Sequence, residues 1–278
     1  MCMVASRPTC DDPQMDADGR RMVLTRRAAS RNVQLIQDCY MPASVAECWW
    51  RPFRKVGHAT VLHVDLTAHA AREAEAWAWL DEEEQARWQR YQHDGPRRRF
   101  ALCRAALRAV LCSQLGCRNE QLAFGASDHG KPYAVVQGVA APVSFNVSHS
   151  GTHGLIAVAA AGRLGVDVEE RSMPRDLDGL ISSVLGPDEQ AELALARGCR
   201  KLHLFFSFWT IKEALIKALG LGLALDMSGF EIPLAMRHGK TTSVFQFPHI
   251  PTVRWRLENL GNEHFAAAIA CELDPNPN

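Results

Sequence analysis

Asp167 and Glu169 stand two positions apart in the stretch Gly165-Val-Asp-Val-Glu-Glu170. Alternate side chains of a strand point to opposite faces, so both carboxylates share one face while Val166 and Val168 enter a core. Like charges side by side are costly unless a cation lies between them. The stretch FWTIKEALIKALG (208–220) supplies a third carboxylate. With about 100° per residue in a helix, Ile211, Ala214, Leu215 and Ala218 fall on one face, and Trp209, Glu213 and Lys217 on the other. A few hard carboxylate oxygens, with coordination left for water and phosphate, are what Mg2+ prefers. Taken alone, the same residues also describe solvated acids on a strand edge and a surface Glu–Lys pair.

Two further groups of residues are candidates. In FNVSHSG (145–151) Ser148 and His149 are adjacent, so on an extended chain they point apart and make a poor nucleophile–base pair. No Gly-x-Ser-x-Gly elbow accompanies them. His149 and His153 have His-x3-His spacing, but Gly151 and Gly154 oppose a helix that would join them at a metal. A hydroxyl and an imidazole presented from a turn suit an anion better. Residues 84–108 hold Arg87, Arg90, Arg97, Arg98, Arg99, Arg104 and Arg108 against Glu84 and Asp94. Most such residues coat a helix, while one or two can grip a phosphate bidentately. Lys131, in a Gly-Lys-Pro turn at 130–132, is a candidate of the same kind.

The elements that must position these groups follow from periodicity. Strands are expected at 58–66, 154–161 and 165–170, and again at 241–247, 252–259 and 264–270. Helices are expected over 80–92, 97–116 with Gly116 as the cap, from Pro187, and over 203–219 closed by GLGL at 220–223. Helix-then-strands thus occurs twice, with a faint echo between RAALRAVL (104–111) and KEALIKAL (212–219). The class expected is α+β, two similar halves packed together with the site at their interface. Their bounds are 56–161 and 162–274, after an N-terminal extension over 1–55, largely disordered to about residue 40.

Whole-chain properties narrow the setting. The 278 residues carry 31 basic and 31 acidic side chains, so no global field favours nucleic acid or an anionic membrane. No apolar run reaches the roughly 18 residues of a membrane span, and no secretory h-region is present. Nine scattered cysteines without a Cys-x2-Cys pair suit reduced thiols and a cytoplasmic protein.

In order, GKP (130–132), FNVSHSG (145–151), GVDVEE (165–170) and FWTIKEALIKALGLGL (208–223) resemble the successive motifs of the 4'-phosphopantetheinyl transferases. Within them the chain is similar to the monomeric, double-length Sfp type, in the subgroup with a WxxKEAxxK motif. The likeness covers roughly residues 58–272. It implies that coenzyme A donates its 4'-phosphopantetheine arm to a serine of an apo acyl or peptidyl carrier protein, releasing adenosine 3',5'-bisphosphate. It implies Mg2+, with Mn2+ as a substitute, on Asp167, Glu169 and Glu213. Glu213 is also the implied base for the serine, and Lys217 the implied contact of the leaving phosphate. Lys131, Ser148, His149, Arg99 and Arg87 would hold the adenosine and its 3'-phosphate. Glu84 departs from the pattern, standing where some members have a lysine. The rival readings are a non-catalytic module binding coenzyme A or carrier protein, and another Mg2+-dependent nucleotide phosphotransferase.

Overall fold

A computed structural model describes residues 48–220, 222 and 225–273. The N-terminal extension, apart from residues 48–55, lies outside this range, as do Leu221 and Leu223 of the GLGL run. In the first half the strands are β1 (Trp50–Val56), β2 (Ala59–Asp65), β3 (Leu122–Ala126), β4 (Pro132–Val136), β5 (Val139–Ala140), β6 (Ser144–Ser150) and β7 (His153–Ala159). Its helices are α1 (Ala70–Trp79), α2 (Glu82–Gln89) and α3 (Asp94–Leu115). The second half runs β8 (Leu164–Glu170), α4 (Leu177–Val184), α5 (Pro187–Leu195), α6 (Gly198–Leu219), α7 (Leu234–Arg237), β9 (Thr242–Gln246), β10 (Arg254–Asn259) and β11 (Phe265–Glu272). Among the described residues no helix is long and apolar enough to cross a membrane.

The α+β expectation holds, and the halves match in plan. Sheet β1-β2-β7-β6 faces sheet β8-β11-β10-β9, all pairings being antiparallel, while β3-β4-β5 forms a small separate sheet. In each half the strand before the helices pairs with the last strand, which pairs with the one before it. One core lies between α3 and the first sheet, and a second between α6 and the other sheet. A third joins the two sheets face to face, with Val61, Leu155 and Ala157 against Val166, Val168 and Ile269. Val166 and Val168 therefore enter the core, as alternation requires.

A repeat more telling than the alanine–leucine echo emerges at the helix starts. Glu84-Gln85-Ala86 and Glu189-Gln190-Ala191 open α2 and α5 in the same way. Both glutamates accept from the N-cap backbone N–H, Glu84 from Asp81 within a full capping box and Glu189 from Gly186. Both glutamines donate back to a leucine carbonyl, Gln85 to Leu80 at 3.1 Å and Gln190 to Leu185 at 2.7 Å. Each glutamate also clasps a fully buried base of the long helix that follows, Arg108 at 2.6 Å and Lys212 at 2.6 Å. Glu84, which stands where some family members have a lysine, is thus a structural anchor.

The first strand begins at Trp50, earlier than the strand expected at residue 58. β1 is an edge strand bearing Arg51, Arg54 and Lys55, with a register irregularity between Pro52 and Arg54. Charges, proline and a bulge protect an exposed edge and also erase the alternation that reveals a strand.

Candidate active site

The site is built where two sheet edges meet. β6 and β8 both lie at sheet edges, so their outward N–H groups lack a strand partner. Side chains fill the gap. Asn146, Ser148 and Ser150 alternate along β6 on the face toward β8. Asn146 Oδ1 accepts from Val166 N at 2.9 Å, and Ser148 Oγ accepts from Val168 N at 3.4 Å. Ser148 Oγ donates to Asp167 Oδ1 at 2.8 Å, and Ser150 Oγ donates to Glu169 Oε2 at 2.7 Å. The FNVSHSG segment is therefore a strand through Ser150, with the turn only beyond it, correcting the expectation that Ser148 and His149 sit on a turn. Asn146 and Ser150 escaped the sequence reading; the two-residue spacing from Ser148 was the signal.

Helix α6 covers the same seam. A side chain at Gly165 would collide with the backbone of Ala214, Lys217 and Ala218, so the missing Cβ lets strand and helix approach closely. This contact brings the helix's polar face over the acids. Lys217 Nζ lies 2.5 Å from Asp167 Oδ1 and 3.1 Å from Ser148 Oγ. Asp167 is 2% exposed, and its Oδ2 is buried without a hydrogen-bond partner. Trp209, Glu213 and Lys217 are half-buried, not solvated, and Ile216 is buried.

The three carboxylates are held above their ordinary pKa values. Burial raises Asp167, against the pull of the Lys217 ammonium and the Ser148 hydroxyl. Burial likewise pushes Glu169 up to about 7, the negative charges of Asp167 and Glu213 adding to the effect. Glu213 is raised by burial first; Lys217 opposes this and Asp167 reinforces it. The acids thus sense one another, yet among the described residues no three such groups already stand at metal-ligand spacing.

One consequence is measurable without any ligand. A folded-state pKa above the unfolded value gives stability that is present below about pH 4.5 and lost as pH rises through about 7. Glu169→Gln is therefore expected to raise Tm at about pH 8, where it removes an unpaired charge, and to have little effect at about pH 5. Thermal melts of metal-free protein at both values check this; a lower Tm at the higher pH contradicts it.

The remaining candidates divide into two groups. Arg87 and His149 line one cavity of about 200 Å3, together with Tyr91, Phe100, Arg104 and Asn146. The Arg87 guanidinium sits 5.0 Å from the Phe100 ring centre. The pKa of His149 is lowered by desolvation first, then by the positive charges of Arg99, Lys217 and Arg87. These cations therefore act on one spot beside the carboxylates. His153 is not part of it: its Nδ1 is 3.1 Å from His63 Nε2, on the other side of the hairpin from His149.

Lys131 is placed differently from a free phosphate ligand. Its Nζ donates to the carbonyls of Lys217 at 2.7 Å, Leu164 at 3.0 Å and Ala218 at 3.2 Å. It thereby caps the C-terminal end of α6 and pins that end to the start of β8. Burial first, then Arg163, lowers its pKa to about 8. Its stem lines a second cavity of about 310 Å3 with Glu213, Ile216, Lys217 and Met227. The two cavities share Pro132 and Asn146, so a cationic pocket adjoins the Glu213–Lys217 pair. A cavity of about 610 Å3 near Trp79 and Cys117 lies apart from all of these groups. The arrangement suits a ligand with a phosphate at one end and a reacting diphosphate at the other.

Residues 163–270 match a family described as the 4'-phosphopantetheinyl transferase superfamily, and residues 69–161 match the N-terminal part of a 4'-phosphopantetheinyl transferase. A Synechocystis sp. protein provisionally assigned as a 4'-phosphopantetheinyl transferase is 38% identical over 147 residues, 53% of this chain and 59% of its own length. The 4'-phosphopantetheinyl transferase HetI of Nostoc sp. is 35% identical, across 53% of this chain and 62% of its own. A 4'-phosphopantetheinyl transferase of Bacillus subtilis is 25% identical, across 62% of this chain and 75% of its own. The chain thus spans about three fifths of the first two relatives.

Proposed function

Because the chain belongs to the 4'-phosphopantetheinyl transferase superfamily, we propose that it moves the 4'-phosphopantetheine arm of coenzyme A onto a serine of an apo acyl or peptidyl carrier protein. Adenosine 3',5'-bisphosphate is the leaving product. The observation that carries this reading is the β6–β8–α6 seam, where Lys217 and Ser148 meet the buried Asp167, Ser150 holds Glu169, and Glu213 lines a cavity adjoining the one lined by Arg87 and His149.

Transfer of this kind needs charge neutralised and atoms aligned more than covalent help from the protein. Arg87, Arg99 and His149 bind the 3'-phosphate end, which orients the diphosphate toward Lys217. Asp167, Glu169 and Glu213 offer hard oxygens of the type Mg2+ takes, and the orphaned Asp167 Oδ2 fits such a ligand. When bound there, Mg2+ supplies Lewis-acid neutralisation of the diphosphate oxygens. Glu213 has a raised pKa in a half-buried setting, so it can accept the proton of the attacking serine hydroxyl. The serine oxygen bonds to the phosphorus carrying pantetheine, and the bond from that phosphorus to the bridging oxygen breaks. Lys217 stabilises the charge left on the departing phosphate. Lys131 and Ser148 act here as positioning residues, the first on the helix end and the second on Asp167 and Lys217. The presence of both halves in one chain favours the Sfp type, acting as a cytoplasmic monomer.

The test is intact-mass spectrometry of several apo carrier proteins incubated with the protein, coenzyme A and Mg2+. Each carrier that is a substrate gains one phosphopantetheine group, and Mg2+ removal by chelation prevents the gain. Unmodified mass on every carrier, of fatty-acid, polyketide and peptide type, would overturn the proposal.

A further inference from the structure

Lys217 makes a contact that its phosphate role does not require. Its ammonium is 2.5 Å from Asp167 Oδ1, the same carboxylate whose Oδ2 is buried and unpartnered. A carboxylate 2% exposed cannot hold its charge without a counter-ion. Among the described residues, Asp167 has this one cation, while Glu169 has only the Ser150 hydroxyl and Glu213 makes no ion pair. One ammonium therefore serves the whole acid cluster.

We propose that Lys217 is a stand-in cation, holding Asp167 until a divalent metal replaces it and frees the ammonium for the diphosphate. The inference rests on the reading of Asp167 as a metal ligand. A divalent ion bonds carboxylate oxygen at about 2.0–2.1 Å for Mg2+, and an ammonium on that carboxylate repels it strongly. Both cannot remain. The lysine has somewhere to go, because its side chain is 28% exposed on a flexible stem and lines the cavity it shares with Glu213. Release of Lys217 is thus coupled to metal arrival, so the phosphate-binding cation becomes available only when the metal is in place.

The signature is an effect of opposite sign with and without coenzyme A. Lys217→Met removes the competitor, so Mn2+ alone binds more tightly than to the wild type, by on the order of tenfold. With coenzyme A present the same substitution weakens Mn2+ binding, because the freed ammonium no longer holds the diphosphate. Free Mn2+ is read by electron paramagnetic resonance during titration of each protein. Equal or weaker binding of Mn2+ alone to Lys217→Met overturns the proposal and leaves the metal reading standing. Failure of wild type and variant alike to bind Mn2+, with or without coenzyme A, overturns both. A second measurement needs no variant: saturating Mn2+ should increase acylation of the Lys217 amine in the wild type, read by peptide mass spectrometry. Unchanged labelling at saturation would mean the lysine stays on Asp167, against the proposal.

Discussion

Lys212→Ala is expected to lower stability by about 3–5 kcal/mol, because it strands a buried glutamate without its partner. Lys212 and Glu189 are both fully buried and lie 2.6 Å apart. The ammonium also donates to the carbonyls of Phe230 at 2.7 Å, Val184 at 2.9 Å and Met227 at 2.9 Å. It therefore ties α6 to the end of α4 and to the segment that follows Gly220. Glu189 in turn accepts from Gly186 N at 2.9 Å and Ile232 N at 2.8 Å. Urea denaturation of Lys212→Ala and of Glu189→Ala measures the loss. The combined Lys212→Met and Glu189→Leu protein should recover much of it, since no charge is then left without a partner. A loss below about 1 kcal/mol for either single change would contradict the buried pair.

Glu213→Gln is expected to reduce phosphopantetheine transfer by about 10²–10⁴-fold, the usual worth of a general base, with its Tm nearly unchanged. Asp167→Ala should fall at least as far, since it removes the partner of Lys217 and an oxygen of the proposed metal site. Glu170→Gln is the informative control. Its carboxylate lies against the Gly151 turn, away from Asp167 and Glu169 along the alternating strand. Initial rates of carrier modification should leave Glu170→Gln near the wild type. A Glu213→Gln protein with wild-type rates would remove Glu213 from proton transfer.

The acids were legible because two simple rules met on them. A strand period put Asp167 and Glu169 together, and a helix period put Glu213 beside Lys217. Neither rule sees what lies across an edge. Asn146 and Ser150 sit in a glycine- and serine-rich run that reads as a turn, and only the neighbouring unpaired edge of β8 gives them work. Lys212 carries no mark of its burial in the sequence, since its partner is on another helix. Lys131 looked free because backbone carbonyls leave no mark in sequence. Charge and proline on β1 hid a strand whose place is the sheet edge.

The most direct measurement of the central claim is an anomalous-scattering map from crystals grown with coenzyme A and Mn2+. The expected result is one strong peak within bonding distance of the Asp167, Glu169 and Glu213 carboxylates and the coenzyme A diphosphate, with Lys217 withdrawn from Asp167 onto phosphate. A diphosphate bound elsewhere, or a peak away from these three carboxylates, would contradict the account.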